Sequence, residues 1–110
     1  METVHKKWGS ELIIINREYC GKLLTVLNGK WSSGGKYHYH KLKTETFFVI
    51  EGTLLLDLRD HGDVRRIYLG PMESLTIEPH MRHRFTTDNE ACRFVEFSTH
   101  SEDSDSYREK

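Results

Sequence analysis

The stretch GGKYHYHKLKTETFFVIEG, from Gly34 to Gly52, decides how this chain folds and where its chemistry lies. It places His38 and His40 two residues apart and Glu45 five residues after His40. Residues two apart in a β-strand point to the same face, so an extended segment turns both imidazoles one way. Two imidazoles and a carboxylate can chelate a metal ion, but the same residues also suit the polar face of an ordinary surface strand.

A second segment, SLTIEPHMRHRFTT, is needed to complete such a site. Leu75 and Ile77 alternate with polar neighbours, which predicts a strand that runs into a proline turn. His83 opens the next strand, and if its side chain points inward the site holds three imidazoles and one carboxylate. This donor set suits one divalent ion of Zn, Mn, Fe, Ni or Co, and an octahedral ion would keep positions open for water or substrate.

The composition indicates one domain that binds neither nucleic acid nor a membrane. The 110 residues fit a single domain, with a core at residues 11–98 and an acidic tail at 99–110 that composition alone predicts to fray. The formal net charge is −1 without a long basic patch, which argues against nucleic acid. No apolar run reaches the roughly 18 residues of a membrane span. The beginning, METVHKKWGSE, lacks the apolar centre of a signal peptide, and Cys20 and Cys92 form no CxxC pair, so we expect free thiols and a cytoplasmic protein.

Short β-rich runs recur along the chain, whereas helix signals are almost absent. Turn formers such as Asn28-Gly29 and Gly70-Pro71 separate the runs. We expect strands at residues 12–15, 23–27, 37–40, 46–51, 53–58, 64–69, 74–78, 83–87 and 93–98. Many short strands at roughly ten-residue spacing predict an all-β sandwich or a small closed barrel.

The histidine pair and its flanks resemble the first motif of the cupin family. HYHKLKTETFFVIEG reads as His-x-His, four residues, Glu, six residues, Gly, and LGPMESLTIEPHMRHRF looks like the second motif. The resemblance covers about residues 23–98. It implies a single-domain jelly-roll barrel, the double-stranded β-helix, in which His38, His40, Glu45 and His83 hold one divalent metal ion.

The second motif departs from the family pattern at its turns. Met72 and His80 stand where the family usually has glycine, and Glu78 stands where it usually has proline. These changes affect turns rather than metal ligands. His80 is left with three readings: a spare ligand, an acid–base group, or a solvated turn residue.

A narrower resemblance covers nearly the whole chain. Trp8-Gly9 in KKWGSE, His83-Arg84 in PHMRHRF and the ending FVEFSTHSEDSDSYRE are similar to the cupin domain of type II mannose-6-phosphate isomerases. This implies a metal-dependent aldose–ketose isomerase for a sugar or sugar phosphate, in which the ion stabilises an enediol-type intermediate. It also implies that the ending folds over one end of the barrel. The run HYHKLKTE departs from the three successive histidines usual there, which leaves the substrate open.

Two basic residues are candidates for contacts with such a substrate. Lys43 shares the face of Glu45 on an extended backbone, so beside a cation it would have a depressed pKa and shuttle a proton. It could equally bind a phosphate or carboxylate, or lie on an exposed loop. Arg84 suits a phosphate clamp, although strand parity points it away from His83 unless a bulge turns it. Glu45 could itself act as the base.

Two other functions fit the same donor set. Several cupin dioxygenases carry three histidines and one glutamate with iron, and a cupin can also bind a metal or a sugar without turnover. As a partner we expect a second copy of the chain, because small cupins often dimerise through a sheet face. Phe48 and Ile50 lie on the face that would contact it.

Overall fold

The fold is built almost entirely from antiparallel β-strands. The computed structural model describes residues 1–109. Its strands are β1 (Glu2–Lys6), β2 (Gly9–Asn16), β3 (Tyr19–Val26), β4 (Tyr37–Tyr39), β5 (Glu45–Glu51), β6 (Leu54–Asp60), β7 (Asp63–Leu69), β8 (Ser74–Ile77), β9 (Arg82–Thr87), β10 (Cys92–Thr99) and β11 (Tyr107–Glu109). Single 3-10 turns occur at Ser32–Gly35 and Asp103–Asp105. Among residues 1–109, no helix is long and apolar enough to cross a membrane.

The strands form two sheets that face each other, which confirms the predicted all-β jelly roll. One sheet has six strands in the order β1-β2-β3-β10-β5-β8, and the other has five in the order β11-β4-β9-β6-β7. Strands β4 and β5 follow each other in the chain but belong to different sheets. The loop between them, residues 40–44, therefore carries the histidine segment from one sheet to the other.

The apolar core lies between the sheets because alternate side chains of each strand point inward. The core residues include Phe47, Val49, Leu54, Leu56, Phe85 and Phe94, which are all buried. The ring of Trp8 packs edge-on against Phe85, with their centroids 5.1 Å apart. Cys20 and Cys92 are buried free thiols, in agreement with the sequence prediction. This core supports the polar cluster described below, because the ring of Phe47 also packs against His83.

Strands β1 and β11 are not predicted by the sequence. β1 pairs with β2 along its length, although nearly all of its side chains are exposed. β11 pairs with β4, so that Tyr107 lies opposite Tyr39 and Arg108 lies opposite His38. The fraying that composition predicts for residues 99–110 is wrong for residues 103–109, which form a 3-10 turn and a strand. Main-chain pairing holds both strands, and it needs no alternation of apolar residues.

Candidate metal centre

Three histidines converge between the sheets at one end of the sandwich. His38 of β4 lies directly opposite His83 of β9, and the centroids of their rings are 4.0 Å apart. His40 follows the end of β4, and its ring centroid is 5.6 Å from each of the other two. One ring nitrogen of each histidine lies within 4.8 Å of the others. The structure therefore brings together the three imidazoles that the sequence selected.

Glu45 reaches the same point from the opposite sheet. It is the first residue of β5 and only 2% exposed. Its Oε2 atom lies 3.1 Å from Nε2 of His40 and 3.3 Å from Nε2 of His83. The four predicted ligands thus form one cluster that joins the two sheets.

Main-chain carbonyls fix the orientation of two of the rings. Nδ1 of His40 lies 2.8 Å from the carbonyl oxygen of Asp105, and Nδ1 of His83 lies 2.8 Å from that of Met81. Because a carbonyl only accepts, each Nδ1 must carry the proton and donate it. Each Nε2 then keeps a lone pair, and this nitrogen faces Glu45. Metal-binding histidines are oriented in the same way by an acceptor at their other nitrogen.

The unpaired polar atoms of the cluster fit a bound metal ion. Nδ1 of His38, Oε2 of Glu45 and Nε2 of His83 are buried without a hydrogen-bond partner. A buried unsatisfied polar atom costs about 1–3 kcal/mol, and lone pairs that face one another also repel. A cation bound between them removes both costs. Three nitrogens and one oxygen suit a borderline divalent ion, as predicted.

The protonation states of the cluster are those that ligation requires. Burial, with the neighbouring His83 adding to it, holds the pKa of His38 well below its ordinary value, so the ring is neutral at neutral pH. Burial raises the pKa of Glu45, but the contacts with His40 and His83 outweigh it and leave this pKa well below the usual range. Glu45 is therefore an ionised carboxylate.

Lys43 is buried beside the cluster and paired with two carboxylates. Its Nζ atom lies 3.1 Å from Oε2 of Glu96 and 3.7 Å from Oε1 of Glu45. Burial lowers the pKa of Lys43, but Glu45 and Glu96 outweigh burial and raise this pKa above its ordinary value. The structure excludes the exposed-loop reading of Lys43. The sequence did not indicate Glu96 as a partner of Lys43. The depressed pKa that we expected for Lys43 beside a bound cation stays a prediction, because this raised pKa is that of the protein without a metal ion.

The structure does not bring Arg84 to this cluster. Successive residues of β9 face opposite sides of the sheet, so Arg84 points away from the face that carries His83. Its Nε atom donates to Oδ2 of Asp57 at 3.0 Å, and its guanidinium lies 4.6 Å from the ring centroid of Tyr37 and 4.8 Å from that of Trp31. The predicted phosphate contact of Arg84 has no support in this position.

His80 lies in the turn between β8 and β9, outside the cluster. Its φ of 73° is in the left-handed region, which favours glycine, the residue that the resemblance implies at this turn. Its main-chain N–H donates to the carbonyl oxygen of His40 at 2.6 Å. Its ring stacks near Tyr39 with 6.5 Å between centroids. Of the three readings of His80, this placement agrees with the turn residue.

A polar cavity of about 130 Å³ opens beside the cluster. Its lining includes His38, His40, Lys43 and Glu45 as well as charged residues from several strands, among them Lys22, Glu96 and Arg108. Ser101, Glu102 and Asp103 also line it, so residues of the predicted tail form one wall. The resemblance of the ending to an isomerase domain implied that it folds over one end of the barrel, but not which of its residues line a cavity. The signal in the sequence was the Tyr-Arg ending, which carries Arg108.

Comparisons with known proteins identify a family and a fold. The family described as "Cupin domain" matches residues 23–98. Among solved structures, the capsular polysaccharide assembling protein CapF from Staphylococcus aureus superposes with a TM-score of 0.83 at 16% identity, over 96% of this chain and 33% of that chain. Oxalate decarboxylase from Bacillus subtilis superposes with a TM-score of 0.81 at 15% identity, over 97% of this chain and 29% of that chain.

A third structure is closer to this chain in length. It is the Streptomyces protein PAC13 with uridine, which superposes with a TM-score of 0.78 at 12% identity, over 99% of this chain and 84% of that chain. The chain thus spans only about a third of the length of CapF and of oxalate decarboxylase. No curated protein sequence matches the chain significantly. At these identities the structures show a shared fold.

Proposed function

The chain belongs to the cupin family, and we propose that it is a metal-dependent aldose–ketose isomerase that acts on a small sugar or sugar phosphate. One observation carries the proposal: the lone pairs of the buried cluster converge beside a polar cavity that a small molecule can enter. The similarity of the Trp8-Gly9 turn and of the ending to sugar-phosphate isomerases supports the choice of reaction. The Streptomyces relative with uridine adds a cupin of similar length in complex with a sugar-bearing molecule.

The proposed ligands are His38, His40, Glu45 and His83. A bound divalent ion would supply positive charge beside the two substrate oxygens on which negative charge develops during isomerisation. The protein orients these side chains for binding the ion. The carbonyls of Asp105 and Met81 fix the tautomers of His40 and His83.

Isomerisation of an aldose moves one proton from C2 to C1 and another from O2 to O1. Lys43 and Glu45 lie 3.7 Å apart at the floor of the cavity, so we assign the transfer of these protons to them. Glu96 contacts Lys43 at 3.1 Å and keeps the amine oriented toward the cavity. Lys43 is a cation in its ion pair when the reaction begins. The assignment therefore rests on where Lys43 and Glu45 lie and not on a lowered pKa of the lysine.

A phosphate or carboxylate group of the substrate would bind to a cationic side chain at the wall of the cavity. Arg108 lies opposite His38 in the β4–β11 pair and lines the same cavity, whereas Arg84 faces the other side of the sheet. The exposed guanidinium of Arg108 presents a planar set of donors that matches either anion. In this proposal Arg108 takes the role that the sequence suggested for Arg84.

The test combines metal analysis with a substrate screen. Freshly purified protein is expected to hold one divalent ion per chain, and His38→Ala and His83→Ala are expected to lose it. His5→Ala is the matched control, because His5 is an exposed residue of β1 far from the cluster in the chain. The screen covers mannose, lyxose, glucose and their phosphates, and we expect turnover of at least one of them.

Each remaining outcome points to a different function. Unchanged metal content in both His38→Ala and His83→Ala would show that the metal centre is wrong. Bound metal without turnover of any sugar would favour a binding protein. Bound iron together with oxygen uptake would favour a dioxygenase.

A further inference from the structure

One residue after the last long strand contacts the metal cluster from outside it. Asp105 lies in the 3-10 turn Asp103–Asp105 and is only 6% exposed. Its carbonyl oxygen accepts the hydrogen bond from Nδ1 of His40 at 2.8 Å. It therefore determines which nitrogen of His40 is free to bind an ion.

The side chain of the same residue holds the loop between two proposed ligands. Its carboxylate accepts main-chain N–H groups of Lys41 at 2.9 Å, Leu42 at 3.2 Å and Lys43 at 3.1 Å. These three residues connect His40 to Glu45, and their N–H groups have no partner in a sheet. Asp105 thus sets the orientation of one ligand and the path of the chain to the next.

Contacts on both sides keep Asp105 in place. Ahead of it, Asn16 and Ser101 exchange two hydrogen bonds, of 2.8 Å and 3.0 Å. Behind it, β11 pairs with β4, and the rings of Tyr107 and Tyr39 stack with 5.3 Å between centroids. We call residues 101–109 the C-terminal segment. Since this segment is anchored at both ends, the position of Asp105 against the loop at residues 41–43 is fixed.

We propose that Asp105 is a positioning residue of the metal centre, and that docking of the C-terminal segment and binding of the metal ion stabilise each other. The inference rests on the proposed metal centre. Without its carbonyl partner, the ring of His40 is free to change tautomer or rotate, and without the carboxylate the loop loses three hydrogen bonds. Because coupling between two sites is reciprocal, an ion that needs the docked segment must also stabilise its docking.

The first measurement is the affinity for Zn²⁺ of the whole chain and of two variants. Both variants keep the main-chain carbonyl of Asp105 and test its carboxylate: Asp105→Ala removes every side-chain acceptor for the loop, whereas Asp105→Asn keeps one oxygen. We expect Asp105→Ala to weaken binding by about 10- to 100-fold, as for other residues that orient ligands, and Asp105→Asn to weaken it less. Glu90→Gln is the control, because Glu90 is an exposed residue between β9 and β10 and belongs to neither the C-terminal segment nor the cluster. Its affinity is expected to remain unchanged.

The second measurement is amide hydrogen exchange of the wild-type chain with and without Zn²⁺. Zn²⁺ is expected to slow exchange at residues 41–43 and at β11, and to have no such effect in His83→Ala. A purely structural role of Asp105 would leave this Zn²⁺-dependent protection absent.

The outcomes separate the two proposals. If the wild type binds Zn²⁺ and the Asp105 variants bind it equally well, the positioning role is wrong and the metal centre stands. If the wild type binds none of the five candidate metals, the metal centre itself is wrong. Should Asp105→Ala fail to fold, Asp105→Asn and the hydrogen exchange of the wild type decide the question.

Discussion

At the scale of single residues, the ion pair of Lys43 and Glu96 dominates the electrostatics beside the cluster. Both side chains are 6% exposed, and they meet at 3.1 Å. Burial is the main cause that raises the pKa of Glu96, with the nearby charge of Glu45 adding to it. Two buried charges of opposite sign stabilise each other, whereas either charge alone in a protein interior lowers the stability of the fold.

We predict that Lys43→Met destabilises the protein more than the double variant Lys43→Met with Glu96→Leu does. The single change leaves buried carboxylates without their cation and is expected to lower the free energy of unfolding by about 3–5 kcal/mol. The double change replaces the pair by apolar groups of similar volume. Denaturant unfolding in the presence of a chelator measures both values. A double variant as unstable as the sum of the two single variants would show that the pair is not coupled.

Sequence reasoning found the ligands but not the residues that orient them. His38, His40 and Glu45 lie close together in the chain, so strand periodicity alone places them near one another. His83 lies far from them in the chain, and the strand pattern included it only on the condition that its side chain points inward, so the resemblance to a known motif was needed to support it. Asp105 lies 65 residues from His40 in the chain, and Glu96 lies 53 residues from Lys43. A single acidic residue in a polar stretch has no sequence pattern that predicts a contact over such a distance.

At the scale of elements, the turn between β5 and β6 shows how closely two segments approach. Gly52 has a φ of 79°, and a Cβ atom there would lie 2.5 Å from the carbonyl oxygen of Ala91 and 2.9 Å from Cα of Cys92. Gly62, in the turn between β6 and β7, has a φ of 86° with nothing within 4 Å of such an atom. The two glycines share a backbone conformation and differ in the space around them.

Gly52→Ala is therefore expected to be far more destabilising than Gly62→Ala. The left-handed conformation costs an alanine about 1–2 kcal/mol at either position. At Gly52 the collision with rigid main chain adds to this cost, for a total of about 3 kcal/mol or more. Thermal and denaturant unfolding of both variants give the comparison. Equal losses would mean that the contact with Ala91 and Cys92 relaxes freely.

Among the strands that the sequence predicts, β3 and β5 show the pattern of one buried face most clearly. Alternation of apolar residues marks β3 and β5, whose inner side chains are buried. β1 and β11 are edge strands, and their side chains are exposed or only half-buried. Their place follows from hydrogen bonds to β2 and β4, which depend on the complete fold and leave no trace in local composition.

At the scale of the whole molecule, the outer face of the six-stranded sheet carries a continuous apolar row. Leu12, Leu23, Val95 and Phe48 lie side by side in register across β2, β3, β10 and β5. Phe97 lies beside this row and is 56% exposed, and the ion pair of Arg93 and Glu51 lies at the edge of the face. An apolar centre with a polar rim is typical of a protein interface. We propose that a second copy of the chain covers it through a two-fold contact.

Phe97→Lys is expected to convert this dimer into a monomer without unfolding it. A lysine beside the apolar row would bring a charged group into each half of the contact and oppose its burial. Tyr68→Lys is the matched control, because Tyr68 is 55% exposed on the other sheet. Light scattering coupled to size-exclusion chromatography measures the mass of each protein. A wild type that elutes as a monomer, or a Phe97→Lys variant that remains a dimer, would contradict the proposal.

The position of β10 has a consequence for how the chain reaches its native state. β10 spans Cys92–Thr99 and lies between β3 and β5, which occupy the first half of the chain. Until β10 inserts, β3 and β5 each present a row of unpaired main-chain groups. Such edges recruit strands from other molecules, and folds with distant pairings form slowly, on the order of milliseconds to seconds. A nascent or truncated chain that stops before Cys92 would thus be the species most prone to aggregate.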